Sequence, residues 1–309
     1  MDSHAITAGQ FLSLRDPQGQ PSGLRLHYAT AGDASKPVML FLHGFPQAWF
    51  VWERLMGHFA SQYFCVAPDL RGFNLSSKPE GVKAYQAKHI VDDLVQLIKH
   101  ISPSGTPITL VAHDWGGAIA WNIAVHHAHL IKKLVAINSP HPVPFGNHLR
   151  PGGAQVAASA YMDWLCQQDS ELALAKNNYA LLEGFFHGMG QAPALWFTAA
   201  VRARYHAAWA EPSCTSDHPL TGSVNYYRAT PLTPAKVAKL GIEMQAADWM
   251  VHVPTRIVWG EQDLALPVSL LDGIERCIPD LSVRRIPQGN HWLIDAMPDA
   301  VIAAMSDFV

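Results

Sequence analysis

Charge is scarce in this sequence, and none of it is concentrated. Only 15% of the 309 residues are Asp, Glu, Lys or Arg, the formal net charge is −3, and no basic run exceeds a pair. A nucleic-acid partner needs a clustered positive field, so none is expected. Long hydrophobic runs are missing too. The apolar stretches are strand-length and interrupted, which argues against a membrane-spanning helix. The start, Met1-Asp2-Ser3-His4, has no basic segment leading into an apolar core, so no secretory leader is expected. Cysteine is confined to Cys65, Cys166, Cys214 and Cys277, scattered and without a Cys-x-x-Cys pair. That excludes a disulfide framework and fits free thiols in a reducing, cytoplasmic setting. Neither His-Glu-x-x-His nor a Cys/His ligand spacing occurs among the 17 histidines. No metal or other cofactor is therefore expected, and His126-His127-x-His129 reads as a solvated helix end. Gly-x-Ser-x-Gly, internal repeats and low-complexity segments are also absent.

What is present is a rhythm. Leu24–Thr30 alternates apolar and polar residues, as an edge or antiparallel strand does. Val38–Leu42, Phe64–Pro68, Ile108–Ala112 and Leu134–Ile137 are short continuous apolar runs, the pattern of strands buried on both faces of a parallel sheet. Between them, Trp49–Ala60, Tyr85–Ile101 and Gly116–His127 keep helical spacing. Strand, helix, strand, helix predicts an α/β fold with a mostly parallel, doubly wound sheet. The rhythm breaks at Asn138-Ser139-Pro140-His141-Pro142-Val143-Pro144 and resumes at Val253–Gly260 and Leu281–Ile286. The expected organisation is a first core part over 1–140, a helical cap over 141–240 and a second core part over 241–309. Loops are expected in the cap near Glu211–Thr221 and at Pro231 and Pro234. The cap holds 12 of the 30 aromatic residues, which would line a pocket over the strand C-termini.

The chemistry gathers at strand ends. Ile108–His113 runs straight into Asp114-Trp115-Gly116-Gly117, a sharp strand-to-helix turn that lifts Asp114 out of the sheet. An Asp after a strand often only caps a helix. Here the small neighbours and two later partners, Asp263 after one strand and His291 after the last, make it a candidate nucleophile. Glu261 and Asp248 are rival acids. A carboxylate can attack an electrophilic sp3 carbon to give an alkyl ester. His291 would then activate water against that ester, with Asp263 stabilising the imidazolium. The backbone N–H groups of Phe45 and Trp115 are the candidate oxyanion donors. His43, His113 and Arg71 read as local scaffolding.

His43-Gly44-Phe45-Pro46, Asp69-x-Arg71-Gly72-Phe73-x-x-Ser76, His113-Asp114-Trp115-Gly116-Gly117 and Asn225-Tyr226-Tyr227-Arg228 resemble the epoxide hydrolases of the α/β-hydrolase superfamily. Pro140-His141-Pro142 and Gly289-x-His291-Trp292 fit the same family, and the likeness runs from about Leu24 to the C-terminus. Asp at the elbow together with Asn-Tyr-Tyr-Arg is its specific part. Ala112 departs from the family, which often has Gly there. The resemblance implies a small apolar epoxide as substrate and two cap tyrosines that donate to its oxygen. Tyr227 holds one position by its motif, and Tyr161 is the best match for the other. It implies a monomer or homodimer.

Two other readings compete. Haloalkane and haloacetate dehalogenases use the same ester, with halide leaving against N–H donors such as the Trp115 and Trp164 indoles. Those positions make Trp115 and Trp164 candidate pocket residues. Haloalkane enzymes, however, usually have Asn where Phe45 stands. Haloacetate enzymes usually have Arg where Trp115 stands and His where Asp163 stands. A non-catalytic ligand-binding member of the fold would be free to lose the acid or the base, and this chain keeps both.

Overall fold

The computed structural model describes residues 5–188, 194–213, 215 and 217–309. Eight strands form one sheet: β1 (Thr7–Arg15), β2 (Pro21–Ala31), β3 (Val38–Leu42), β4 (Phe64–Pro68), β5 (Ile108–His113), β6 (Ile131–Ile137), β7 (Thr255–Gly260) and β8 (Leu281–Ile286). Their spatial order is β1-β2-β4-β3-β5-β6-β7-β8. The β1–β2 and β2–β4 pairs are antiparallel, and all the others are parallel. This is the mostly parallel α/β sheet expected from the sequence. β3, β5 and β7 are buried along their whole length.

Alternation along each strand splits the core in two. Leu40, Leu42, Leu110, Ala112, Leu134 and Trp259 face the helix Ala87–Ile101 through Ile90, Leu94 and Leu97. Met39, Phe41, Val111, Val135 and Val258 face the other way, towards the helices Glu53–Phe59 and Pro298–Ser306.

β1 was not foreseen. Only Leu14 is buried along it, so the edge strand carries almost no apolar signal. Trp49–Ala60 begins as a 3-10 turn over Trp49–Trp52 before turning α-helical. Between β6 and β7 the chain is helical: Pro142–His148, Gln155–Ala158, Ala160–Leu165, Ser170–Phe186 (broken over Lys176–Tyr179), Ala199–Ala210, Thr221–Ala229 and Pro234–Leu240. Pro234 starts a helix where a loop was expected. It occupies the first turn, where a missing N–H costs nothing, and the Thr233 hydroxyl accepts from the Lys236 N–H. Polar contacts, three of them named here, tie this helical segment to the loops around the sheet. Trp209 Nε1 donates to the Pro46 carbonyl at 2.7 Å, Tyr226 Oη to the Arg71 carbonyl at 2.8 Å, and Trp292 Nε1 to the Phe185 carbonyl at 2.9 Å. Among the described residues, no helix is long and apolar enough to cross a membrane. Cys65, Cys166 and Cys277 are free thiols, and Cys214 lies outside the described residues.

Candidate active site

Register brings the functional positions to one edge of the sheet. Leu42 pairs with Ala112, His113 with Ile137, Ile137 with Val258, and Gly260 with Ile286. The loops that follow β3, β5, β6, β7 and β8 therefore emerge side by side. These loops carry Phe45, Asp114, Asn138, Asp263 and His291.

Asp114 takes the left-handed conformation, with φ +49°, at the turn from β5 into the helix Asp114–His126. The turn requires very close packing. A Cβ on Gly44 would collide with the Asp114 carboxylate, and one on Gly116 with the Leu42 carbonyl. Asp114 Oδ1 accepts the Phe45 N–H at 2.8 Å, and the Trp115 N–H also bonds the carboxylate. Oδ2 lies 3.7 Å from His291 Nε2. Burial raises the Asp114 pKa, while His291 and the two N–H groups oppose the rise.

His291 Nδ1 lies 2.7 Å from Asp263 Oδ2. Burial alone would pull the imidazole down, but Asp263 and then Asp114 outweigh it and leave its pKa raised. Asp263 is held from every side: Oδ1 accepts the N–H groups of Ala265 at 2.9 Å and Leu266 at 2.8 Å, and Oδ2 accepts Asn138 Nδ2 at 2.5 Å. The rival acids stand elsewhere. Glu261 pairs with Arg285 at 2.6 Å, and Asp248 sits exposed on the 3-10 turn Ala246–Trp249.

Asp114 opens into a cavity of about 460 Å³ whose walls include Trp115, Ile119, Phe145, Tyr161, Tyr226 and Tyr227. Among the described residues, no Arg, Lys or His lines it. Tyr161 and Tyr227 stand with ring centroids 6.1 Å apart, and the Tyr227 ring meets Trp115 edge-on at 5.2 Å. Burial raises both phenol pKa values, and the Asp114 charge adds to the rise, so both stay protonated donors. Trp164 is different: it packs half-buried against the core and is outside the cavity lining. It follows Tyr161 in the short helix Ala160–Leu165, and three residues of helical rise carry it about 4.5 Å along the axis.

The scaffolding residues are bonded as such. His43 Nε2 accepts the Leu70 N–H at 3.0 Å, and Arg71 grips Asp93 with two bonds, of 2.7 and 2.6 Å. Among the described residues, no group of three His, Cys, Asp or Glu side chains is placed to hold a metal ion.

This constellation can be compared with known proteins. A model of the α/β hydrolase fold matches residues 37–296. Epoxide hydrolase 2 of Caenorhabditis elegans is 31% identical over 94% of this chain and 78% of its own length. Epoxide hydrolase 3 of Mus musculus is 32% identical over 97% of this chain and 78% of its own. A crystal structure of Bacillus megaterium epoxide hydrolase with an inhibitor aligns with a TM-score of 0.82 at 32% identity, covering 92% of this chain and 96% of that one. The chain belongs to the epoxide hydrolase family of the α/β-hydrolase fold.

In this family member, one residue the sequence reading passed over is Asn138. It sits fully buried at the end of β6 with φ +36°, a conformation Asn tolerates better than most residues. Its Oδ1 accepts the Gly260 N–H at 2.8 Å while its Nδ2 holds Asp263. Asn138→Gly keeps the backbone conformation and removes both bonds. Unpaired buried polar groups cost about 1–3 kcal/mol, so kcat should fall roughly 10- to 100-fold, with a lower unfolding midpoint. Steady-state kinetics and a thermal melt check both.

Proposed function

We propose that the chain opens an apolar epoxide to a vicinal diol through an ester on Asp114. One Asp114 oxygen attacks an epoxide carbon, the ring C–O bond breaks, and Tyr161 and Tyr227 donate to the departing oxygen. His291 then takes a proton from water, which adds to the carbonyl carbon of the Asp114 ester. Asp263 stabilises the imidazolium, and the Phe45 and Trp115 N–H groups receive the tetrahedral oxyanion. Collapse releases the diol and restores the carboxylate. Residues 141–240 act as a cap over the core parts 1–140 and 241–309, and the Trp115 indole forms part of the pocket wall.

The observation that carries this reading is the pair of phenols, Tyr161 and Tyr227, with ring centroids 6.1 Å apart, lining the same cavity as Asp114. An epoxide gains most from acidic O–H groups at the oxygen that becomes an alkoxide. A haloacid would need a cation for its carboxylate, and none lines the cavity. A haloalkane would need a pair of indole donors, and Trp164 lies outside.

The test compares epoxides with haloalkanes and haloacetate on the same enzyme and on the Tyr161→Phe/Tyr227→Phe variant. Each hydrogen bond to a developing oxyanion is worth about 10²- to 10³-fold. Epoxide opening should therefore dominate in the native chain and fall at least ~100-fold in the variant. Halide release faster than diol formation, or a double variant with native diol formation, would sink the assignment.

A further inference from the structure

Behind the catalytic edge runs a second line of polar groups that the reaction described so far does not use. His113, the last residue of β5, is fully buried. Its Nε2 lies 2.9 Å from the main-chain carbonyl of His291, and its Nδ1 lies 3.0 Å from Gln47 Oε1. Gln47 Nε2 lies 2.8 Å from Asp295 Oδ2. Asp295 is four residues beyond His291, on the short helix Leu293–Ala296. From the helical segment above, the Tyr205 hydroxyl comes up to the same carboxyl, buried and without closing a hydrogen bond.

The protons along this line can be assigned from one end. A carbonyl oxygen only accepts, so His113 Nε2 must carry a hydrogen. Burial, with the neighbouring His291 and His43 rings adding to it, pulls the His113 pKa well down, so the ring is neutral and Nδ1 is a bare acceptor. As placed, Gln47 Oε1 faces that nitrogen, and two acceptors meet. The two ends of an amide are nearly isosteric, and the partners decide its orientation. Gln47 must therefore turn Nε2 to His113 and Oε1 to Asp295. Only a protonated carboxyl can close the last link.

We propose that Asp295 is a positioning residue for the hydrolytic half of the reaction: as a neutral acid it donates to Gln47, Gln47 donates to His113, and His113 donates to the His291 carbonyl, holding the imidazole on line between water and the Asp114 ester. The proposal rests on the ester mechanism above. Desolvation agrees with it, pushing Asp295 up to about 7. The titratable groups facing Asp295 are Tyr205 and, beyond Gln47, His113. The nearby cations are engaged elsewhere, Arg204 by Glu53 and Arg54 by Asp299. As pH rises through about 7, Asp295 loses its proton, the chain of donors breaks at its source, and water attack slows.

The variants Asp295→Asn and Asp295→Ala separate donation from mere packing, because an Asn amide can still donate to Gln47 but cannot titrate. Single-turnover kinetics resolve ester formation from ester hydrolysis. Asp295→Ala should slow hydrolysis roughly 10- to 100-fold while leaving ester formation within about threefold. Asp295→Asn should hydrolyse within about threefold of the native rate and lose the decline above pH 7. If Asp295→Ala does not fold, the pH profile of Asp295→Asn and the ¹⁵N shifts of His113 in the native protein still decide. Those shifts should show a protonated Nε2 and a bare Nδ1. A doubly protonated His113, an Asp295→Asn variant that keeps the alkaline decline, or hydrolysis untouched by Asp295→Ala would each overturn the proposal. Failure of the ester reading itself shows separately, as no ester in any variant.

Discussion

Asp114→Asn should abolish diol formation while leaving the protein folded and more stable at neutral pH than the native chain. Asn fits the left-handed turn at φ +49° that Ala would strain. An amide in place of the carboxylate has no oxygen able to displace at carbon, and nothing else lining the cavity replaces it. Loss of a covalent nucleophile costs on the order of 10⁴-fold or more in kcat. The stability gain follows from the sign of the Asp114 shift. Burial raises its folded pKa above the ordinary carboxylate value. Such a group contributes stability that is fully present below the unfolded pKa and lost as pH rises through the folded one. At neutral pH the native protein therefore bears the whole cost of a buried carboxylate, and the neutral amide does not. Melting curves of the two proteins should separate at pH 7 and converge in acid. Native turnover by this variant would remove Asp114 from the mechanism. Loss of turnover with loss of fold would leave the CD-verified Asp114→Ser variant as the deciding case, with the same outcome expected.

Much of the sheet was legible because parallel strands buried on both faces must be apolar throughout. The expected and observed bounds of β3 and β4 agree, as continuous runs leave little choice of register, and those of the largely exposed β8 agree as well. β1 was not legible for the opposite reason, since a strand exposed along most of its length has no buried face to mark it. That Asp114, Asp263 and His291 come together was readable because each stands just past a strand end of one sheet, and a strand end can be found from composition alone.

Lateral neighbours could not be read. Asn138 matters because β7 lies beside β6, yet β7 arrives only after the whole helical segment, so no local pattern connects Asn138 with Gly260 and Asp263. Gln47, His113 and Asp295 are likewise far apart in the chain and meet only in the fold. Trp164 was assigned to the pocket as an indole donor at a dehalogenase halide-site position. A helix as short as Ala160–Leu165 has too few turns for its apolar spacing to fix which side chain faces the cavity.

His291→Ala should stop the reaction half-way, and this is where the two chemical steps come apart most clearly. Ester formation needs only the Asp114 carboxylate and the two phenols, none of which His291 supplies. Hydrolysis needs a base, and among the described residues His291 is the imidazole that reaches the Asp114 carboxylate. Mixing the variant with an epoxide should give a burst approaching one equivalent, a protein heavier by the mass of the epoxide, and decay slower by about 10⁴-fold. Peptide mapping should place the added mass on Asp114. The native enzyme carries a companion effect. Asp263 and Asp114 together hold the His291 pKa above its ordinary value, against burial. Forming the ester erases the Asp114 charge and leaves Asp263 alone, so the imidazole pKa falls at the moment a free base is required. The acid limb of ester hydrolysis, followed in single turnovers, should therefore lie at lower pH than the His291 titration of the free enzyme followed by NMR. Coincident limbs would mean that Asp114 contributes nothing to that shift. A His291→Ala protein that accumulates no adduct from epoxides the native enzyme turns over would exclude the ester.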